Sequence, residues 1–285
     1  SPLFWGFSVD WHLFLAFLLK RFSKEYALSV YRYARKYSFF LEKPLEAIRM
    51  LHEFPDGKRR NVLAALSNLC KYLGCYEDWR RLLHNGGIKW CIEDSSRHFI
   101  HRLTANSLKS IFKWIRLVKR RVPELSLFVD FTALTGLRFV EAVSSWNLII
   151  RLSCEKRLSE YYDEDLKILK HYEFSHIFIR KGKKVFISFI QPAIVYEISG
   201  KETLTEPKIQ RKLQKKGLSL KFGELREMWA SIMTRYLTEA EIDALQGRIG
   251  SSIFMQHYFN PVLIMDLQQR VLRGQMELML SLIHI

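Results

Sequence analysis

Residues 125–146 read LSLFVDFTALTGLRFVEAVSSW. The apolar run Leu125–Leu134 meets the turn Thr135-Gly136, and a new helix is expected from Leu137 to about Trp146. Arg138 is thereby put in a first helical turn. Unpaired backbone N–H groups and the positive end of the helix dipole gather there, so Arg138 and the backbone together suit an anion such as a phosphate. Glu141 follows one turn later, well placed to orient Arg138 by a charge-assisted hydrogen bond, although a surface acid would read the same.

Upstream, Leu108, Ile111, Phe112, Ile115, Val118 and Val122 recur at helical spacing, and Pro123 ends the run. Lys109, Lys113, Arg116, Lys119 and Arg120 lie on the same turns and are candidate DNA contacts. Cys91–Thr104 is polar and aperiodic, and the link between domains is placed at 93–104. Before it, residues 1–92 read as a small helical domain with breaks at Pro44, Pro55-Asp56-Gly57, Gly74 and Asn85-Gly86-Gly87. Its helix from the N-cap Ser23 carries Tyr26, Val30, Tyr33, Tyr37 and Phe40 on a packing face. Lys24, Arg32, Arg35 and Lys36 lie beside them, and a merely solvated charged face explains those basic residues equally well. Trp11–Leu19 is apolar but too short to span a bilayer, and its positive charges follow the apolar run, unlike those of a signal peptide. A buried or partner-packing helix is expected there. The chain opens on Ser1, as a trimmed protein or a fragment would.

Downstream, His176–Arg180 and Val185–Ile190 are β-rich runs flanking Lys181-Gly182-Lys183-Lys184, the pattern of a hairpin with a basic tip. Lysines at such a tip reach a nucleic-acid groove, or simply protect a sheet edge. Residues 208–221 contain no acid but include Lys208, Arg211, Lys212, Lys215, Lys216 and Lys221, a candidate DNA-gripping segment expected to be partly disordered without DNA. Helices follow at Leu225–Leu237 and Glu239–Leu245. After Pro261, residues 263–285 read as an apolar tail helix.

Lys and Arg number 45 against 29 Asp and Glu; the formal charge of +16 favours a polyanionic partner, nucleic acid ahead of an anionic membrane. Cys70, Cys75, Cys91 and Cys154 form no CxxC pair, and Cys70 and Cys75 fall on divergent helix faces, so reduced thiols in a cytoplasm are expected and a zinc site is not. Neither a P-loop nor a carboxylate metal motif occurs.

Singly these signals are weak, but their order is distinctive. Thr135-Gly136-Leu137-Arg138 with Glu141, the hairpin Lys181, Leu225-Arg226, Gly247-Arg248 and Tyr258 ten residues later resemble the catalytic domain of the tyrosine recombinase (integrase) family over roughly residues 105–262. Within the family the look is nearest to integrases of archaeal viruses and plasmids, where arginine stands at the position of Arg248 in place of histidine or tryptophan. The resemblance implies a mainly α fold with a small β-hairpin or sheet. A helical core-binding domain would precede the catalytic domain, the two forming a C-shaped clamp round double-stranded DNA. It also implies attachment-site DNA as partner, a tetrameric homo-oligomeric synapse, and no cofactor, metal or membrane; the tail helix either docks in its own core or, as such tails often do in the family, packs in trans on a neighbouring subunit.

The implied chemistry attacks a phosphodiester anion and expels a deoxyribose oxygen. Arginines suit the charge on the non-bridging oxygens because their planar forks grip phosphate bidentately and stay protonated; Arg138, Arg226 and Arg248 are the candidates. Lys181 matches the family's general acid to the 5′ oxygen, with Lys183 or Lys184 taking over in another register. Tyr258 matches the nucleophile, forming a 3′-phosphotyrosyl bond that stores the energy for religation. One position departs: the box is usually His-x-x-Arg or Lys-x-x-Arg, and here Gly223 stands three before Arg226. Lys221, His257, water or the DNA would then take the tyrosine's proton, while His257 reads equally as a packing residue. A type IB topoisomerase and a catalytically inactive architectural DNA-binding protein are the competing readings.

Overall fold

A computed structural model describes residues 9–89, 106–180, 182–248 and 261–283, and the chain divides into two compact units, Ser1–Leu103 and Thr104–Ile285. The link expected at 93–104 lies outside the described residues. Helix dominates both units, and a small antiparallel sheet lies in the second.

The first unit contains α1 (Trp11–Arg21), α2 (Lys24–Tyr37), α3 (Pro44–Glu53), α4 (Asp56–Leu73) and α5 (Tyr76–Asn85). Asp10 starts α1 by accepting the N–H groups of His12 and Leu13, both at 3.0 Å. Phe14 and Leu18 then join Val30, Leu51, Leu66 and Trp79 in one core, so the apolar N-terminal run is a packing helix. No helix among the described residues is long and apolar enough to cross a membrane. On α2 the packing face is Ala27, Val30, Ala34 and Tyr37, whereas Tyr26, expected inward, is 45% exposed. Small alanines let a neighbouring helix approach more closely than a tyrosine stripe does, which rotates the face by one residue. Cys70 and Cys75 are buried at the end of α4, where the Cys75 thiol donates to the Cys70 carbonyl at 3.3 Å.

In the second unit, α6 (Asn106–Arg121) lays Ile111, Ile115 and Val118 on the core, and a 3₁₀ turn at Pro123–Leu125 leads into α7 (Ser126–Thr135) and α8 (Phe139–Cys154). Arg138 is the N-cap of α8, with extended backbone (φ −67°, ψ 152°), so the helix starts two residues later than expected and runs to Cys154 because Leu148, Ile149, Ile150 and Leu152 continue its buried face. There follow β1 (Tyr162–Asp163), β2 (Ile168–Lys170), α9 (Ser175–Phe178), β3 (Ile179–Arg180), β4 (Lys183–Lys184) and β5 (Ile187–Phe189).

The expected hairpin is shorter than its sequence pattern. Among the described residues only Ile179↔Lys184 and Arg180↔Lys183 pair. His176–Phe178 is helical, and β5 leaves the hairpin to join the sheet β1-β2-β5 in register Ile168↔Phe189, Leu169↔Ser188 and Lys170↔Ile187. Beneath that sheet the buried Tyr161 hydroxyl donates to Ser145 Oγ (2.8 Å) and accepts from His171 Nδ1 (2.8 Å), leaving His171 Nε2 to accept from Ser188 Oγ (2.9 Å). Burial holds the His171 pKa down to about 3, so the imidazole is neutral.

The chain closes with α10 (Pro192–Ser199), α11 (Glu206–Lys215), α12 (Phe222–Met233), α13 (Glu239–Leu245) and α14 (Pro261–Ile283). Segment 208–221, expected to be partly disordered, is helical through Lys215. Thr205 caps α11 by accepting Lys208 N–H at 3.3 Å, and Ile209 and Leu213 are buried. The tail helix packs in cis: Ile264, Leu267, Val271, Leu278 and Leu282 complete the core of their own unit. Gln275 Nε2 donates to the carbonyls of Leu134 (2.9 Å) and Phe189 (2.7 Å), fastening α14 behind the end of α7.

Candidate active site

The site grows from two glycine turns. At the end of α7, Gly136 takes φ +63°, and an added Cβ would fall 2.6 Å from the Trp229 ring, so only glycine lets α7 turn into α8 against α12. Gly247, after α13, takes φ +62°, and a Cβ there would lie 1.7 Å from the Lys184 carbonyl oxygen. The second turn therefore rests main chain against main chain on β4.

Between these turns the arginines meet. The Glu141 carboxylate, 1% exposed, accepts the backbone N–H of Arg138 at 3.1 Å and its Nη1 at 2.7 Å, which both caps α8 and aims the guanidinium. It is not a surface acid. Arg138 Nη1 also donates to the Lys184 carbonyl (3.1 Å) and Nη2 to the Gln246 carbonyl (3.3 Å). Arg226, buried on α12, donates Nη2 to that same Gln246 carbonyl (2.6 Å) and Nη1 to the Gly136 carbonyl (2.9 Å). In return, Gln246 Nε2 donates to the Arg226 carbonyl at 3.2 Å. Desolvation, with smaller contributions from Arg138 and Arg248, pulls the Arg226 pKa down to about 10, leaving it charged at neutral pH. Arg248 stands at the exposed rim, its Nη1 held by Asp243 Oδ1 at 3.0 Å.

Thus Arg138, Glu141, Arg226, Arg248 and the hairpin strand carrying Lys184 come together, although they are spread over 111 positions of sequence from 138 to 248. Lys181, His257 and Tyr258 lie outside the described residues. Lys183 is exposed and Lys184 half-buried, and the Lys184 carbonyl is the part that joins the cluster. Among the described residues nothing lies within 4 Å of a Cβ built on Gly223, and Lys221 Nζ pairs with Glu224 at 3.1 Å.

The expected DNA-contacting residues divide. Lys109, Lys113, Arg116 and Arg120 fall at helical spacing on one exposed face of α6, and Lys215 and Lys216 are exposed near its end, where Arg121 Nη1 donates to the Lys216 carbonyl at 3.2 Å. Lys119 instead pairs with Asp130 (2.7 Å) and Lys212 with Glu124 (2.6 Å), so these two brace the unit.

Two participants were not anticipated from sequence. Gln246 acts mainly through its carbonyl, which leaves no trace in a side-chain pattern. Arg180 Nη2 lies 3.7 Å from Glu141 Oε1; its one signal was its place in the basic run Arg180-Lys181-Gly182-Lys183. Comparison of the chain with protein-family profiles, with curated proteins and with solved structures finds no match.

Proposed function

We propose that this chain is a site-specific DNA strand-transfer enzyme of the tyrosine recombinase type, cutting and rejoining duplex DNA through a covalent 3′-phosphotyrosyl bond to Tyr258. The observation that carries the reading is the convergence of Arg138 and Arg226 on one carbonyl at the Gln246-Gly247 turn, with Arg248 at its rim and Glu141 as buried counter-charge. A partly desolvated excess of positive charge disfavours the empty site and favours a bound phosphate, the condition for stabilising a phosphoryl-transfer transition state.

In this reading Arg138 and Arg226 take the non-bridging oxygens and Arg248 approaches from the solvent side. The Tyr258 oxygen attacks phosphorus, the bond to the 5′ oxygen breaks, and Lys181 delivers its proton to that leaving oxygen; a 5′ hydroxyl reverses the step on the exchanged strand. The α6 face of Lys109, Lys113, Arg116 and Arg120, with Lys215 and Lys216, supplies backbone contacts. The first unit would complete a clamp on the duplex, and four copies would form the synapse in the cytoplasm.

The test is covalent capture on a random-sequence library of nicked suicide duplexes, from which the short 5′-hydroxyl fragment diffuses away. After detergent denaturation, wild type is expected to give a protein–DNA band that is absent in Tyr258→Phe and reduced by about 10²-fold or more in Arg226→Ala. No band from wild type overturns the enzyme reading in favour of an architectural DNA-binding protein. Supercoil relaxation without exchange between sites would mark a type IB topoisomerase.

A further inference from the structure

Arg180 is the one arginine beside the cluster that the strand-transfer reading leaves without a task. It ends β3, pairs across the hairpin with Lys183, and directs its guanidinium to the carboxylate that Arg138 already holds. At 3.7 Å its contact with Glu141 Oε1 is longer than a hydrogen bond, and Glu141 is engaged twice over by Arg138. Arg180 Nε is buried and finds no acceptor among the described residues. A buried donor without a partner is unfavourable, and the deficit disappears when a ligand oxygen arrives.

The donors of the neighbouring arginines show what is missing. Arg138 uses Nη1 on Glu141 and the Lys184 carbonyl and one Nη2 hydrogen on Gln246, while Arg226 uses one hydrogen of each Nη on Gly136 and Gln246. Half of their N–H donors, three on Arg138 and two on Arg226, therefore build the site, and the charge left for a ligand comes from guanidiniums that are already partly engaged. Arg180, by contrast, has a charge contact and, among the described residues, no hydrogen bond to give up.

Resting on the phosphodiester reading of this site, we propose that Arg180 is a further catalytic residue: its Nε and Nη donors take a non-bridging oxygen of the scissile phosphate, and Glu141 holds the guanidinium in waiting while the site is empty. Because Arg180 directly precedes Lys181, the same contact draws the hairpin onto the phosphate that the lysine is to serve. Arg138 orients the phosphate from the α8 side and Arg180 from the hairpin side, with one carboxylate between them setting their spacing.

The experiment compares wild type, Arg180→Ala and Arg180→Lys in single-turnover covalent capture on a duplex selected from the suicide library. The scissile group is either a normal phosphodiester or a methylphosphonate, in which one charged oxygen is replaced by a neutral methyl. On the phosphodiester, Arg180→Ala is expected to slow capture by about 10²–10³-fold, the usual effect of removing one donor to a developing oxyanion. Duplex affinity in a mobility-shift assay should change by less than about threefold. On the methylphosphonate diastereomer whose methyl replaces the oxygen that Arg180 serves, the deficit should shrink below about tenfold. Rates for Arg180→Ala within about twofold of wild type on the phosphodiester overturn the proposal. So does an equal deficit on both substrates, which marks a structural role. If Arg180→Ala melts well below wild type, Arg180→Lys, which keeps the charge and loses the fork, carries the same comparison. Failure of wild type to form any covalent complex removes the strand-transfer reading and Arg180's role with it, an outcome distinct from a normal wild type with an indifferent Arg180 variant.

Discussion

Replacing Gly247 by alanine puts a methyl group where the main chain of β4 already stands. The residue has φ +62°, and the added Cβ falls 1.7 Å from the Lys184 carbonyl oxygen and 2.4 Å from its carbon. Left-handed backbone costs a non-glycine residue about 1–2 kcal/mol. Neither partner in the clash is a flexible side-chain tip, so the turn and the strand must part, and the 3.1 Å bond from Arg138 Nη1 to the Lys184 carbonyl goes with them. A bond from a charged donor contributes roughly 1.5–3 kcal/mol. The two costs together come to about 2.5–5 kcal/mol. Gly217 supplies the control: its φ is +67° but a Cβ there meets nothing within 4 Å, so Gly217→Ala bears the first cost alone. For a unit the size of Thr104–Ile285, each kcal/mol moves the thermal midpoint by about 2–4 °C. Followed by circular dichroism, Gly247→Ala is expected to melt roughly 3–12 °C below Gly217→Ala. Midpoints that agree within about 1 °C would refute the packing of this turn on the hairpin.

Three further outcomes follow from the same structure. Gly223→Lys enters open space at the start of α12; by supplying a proton acceptor for the tyrosine it should raise the covalent-capture rate by roughly tenfold or more, and an unchanged rate would mean that no acceptor is missing at that position. His171, held to about 3 when folded against about 6.5 when unfolded, makes the unfolded state the greater proton binder at acidic pH; its contribution is complete above about pH 6.5 and is lost on descending towards pH 3. Urea midpoints should therefore record a loss of roughly 2 kcal/mol between pH 6.5 and 4.5 that His171→Gln largely abolishes, and an equal slope in the variant would locate the titration elsewhere. A chain ending at Asn260 loses the buried Ile264, Leu267, Val271, Leu278 and Leu282, each contributing about 1.5–3 kcal/mol, so it should show no cooperative transition for the second unit; a normal melt would show that α14 is dispensable in cis.

Helices with a regular apolar face were legible before any coordinates: α6 follows from Ile111, Ile115 and Val118, and α13 has the expected bounds Glu239–Leu245. The sheet was not. Its strands are two or three residues long, too short for alternation to register, and Val185–Ile190 reads as one apolar run because both faces of β5 are buried. Tyr26 misled because an aromatic at helical spacing outweighs, on paper, the alanine that takes its place in the core. Within the site, Arg138, Glu141, Arg226 and Arg248 were picked out by their order along the chain and its resemblance to a known family, a pattern that side-chain identities can carry. Gln246 was not, since its contribution comes from a carbonyl that every residue carries.

That carbonyl has a bearing on how the site tolerates change. Arg138 and Arg226 take their mutual bearing from the oxygen of Gln246 and a third fixed point from the carbonyls of Gly136 and Lys184, all of them main chain. No substitution removes a main-chain oxygen; it is lost only if the turn itself moves. Apart from the Glu141 carboxylate that also aims Arg138, the residue identities around this frame are therefore free to drift while the two guanidiniums keep their bearing, provided that glycine stays at 136 and 247. The alignment is inherited with the path of the backbone, and the letters beside it are largely at liberty.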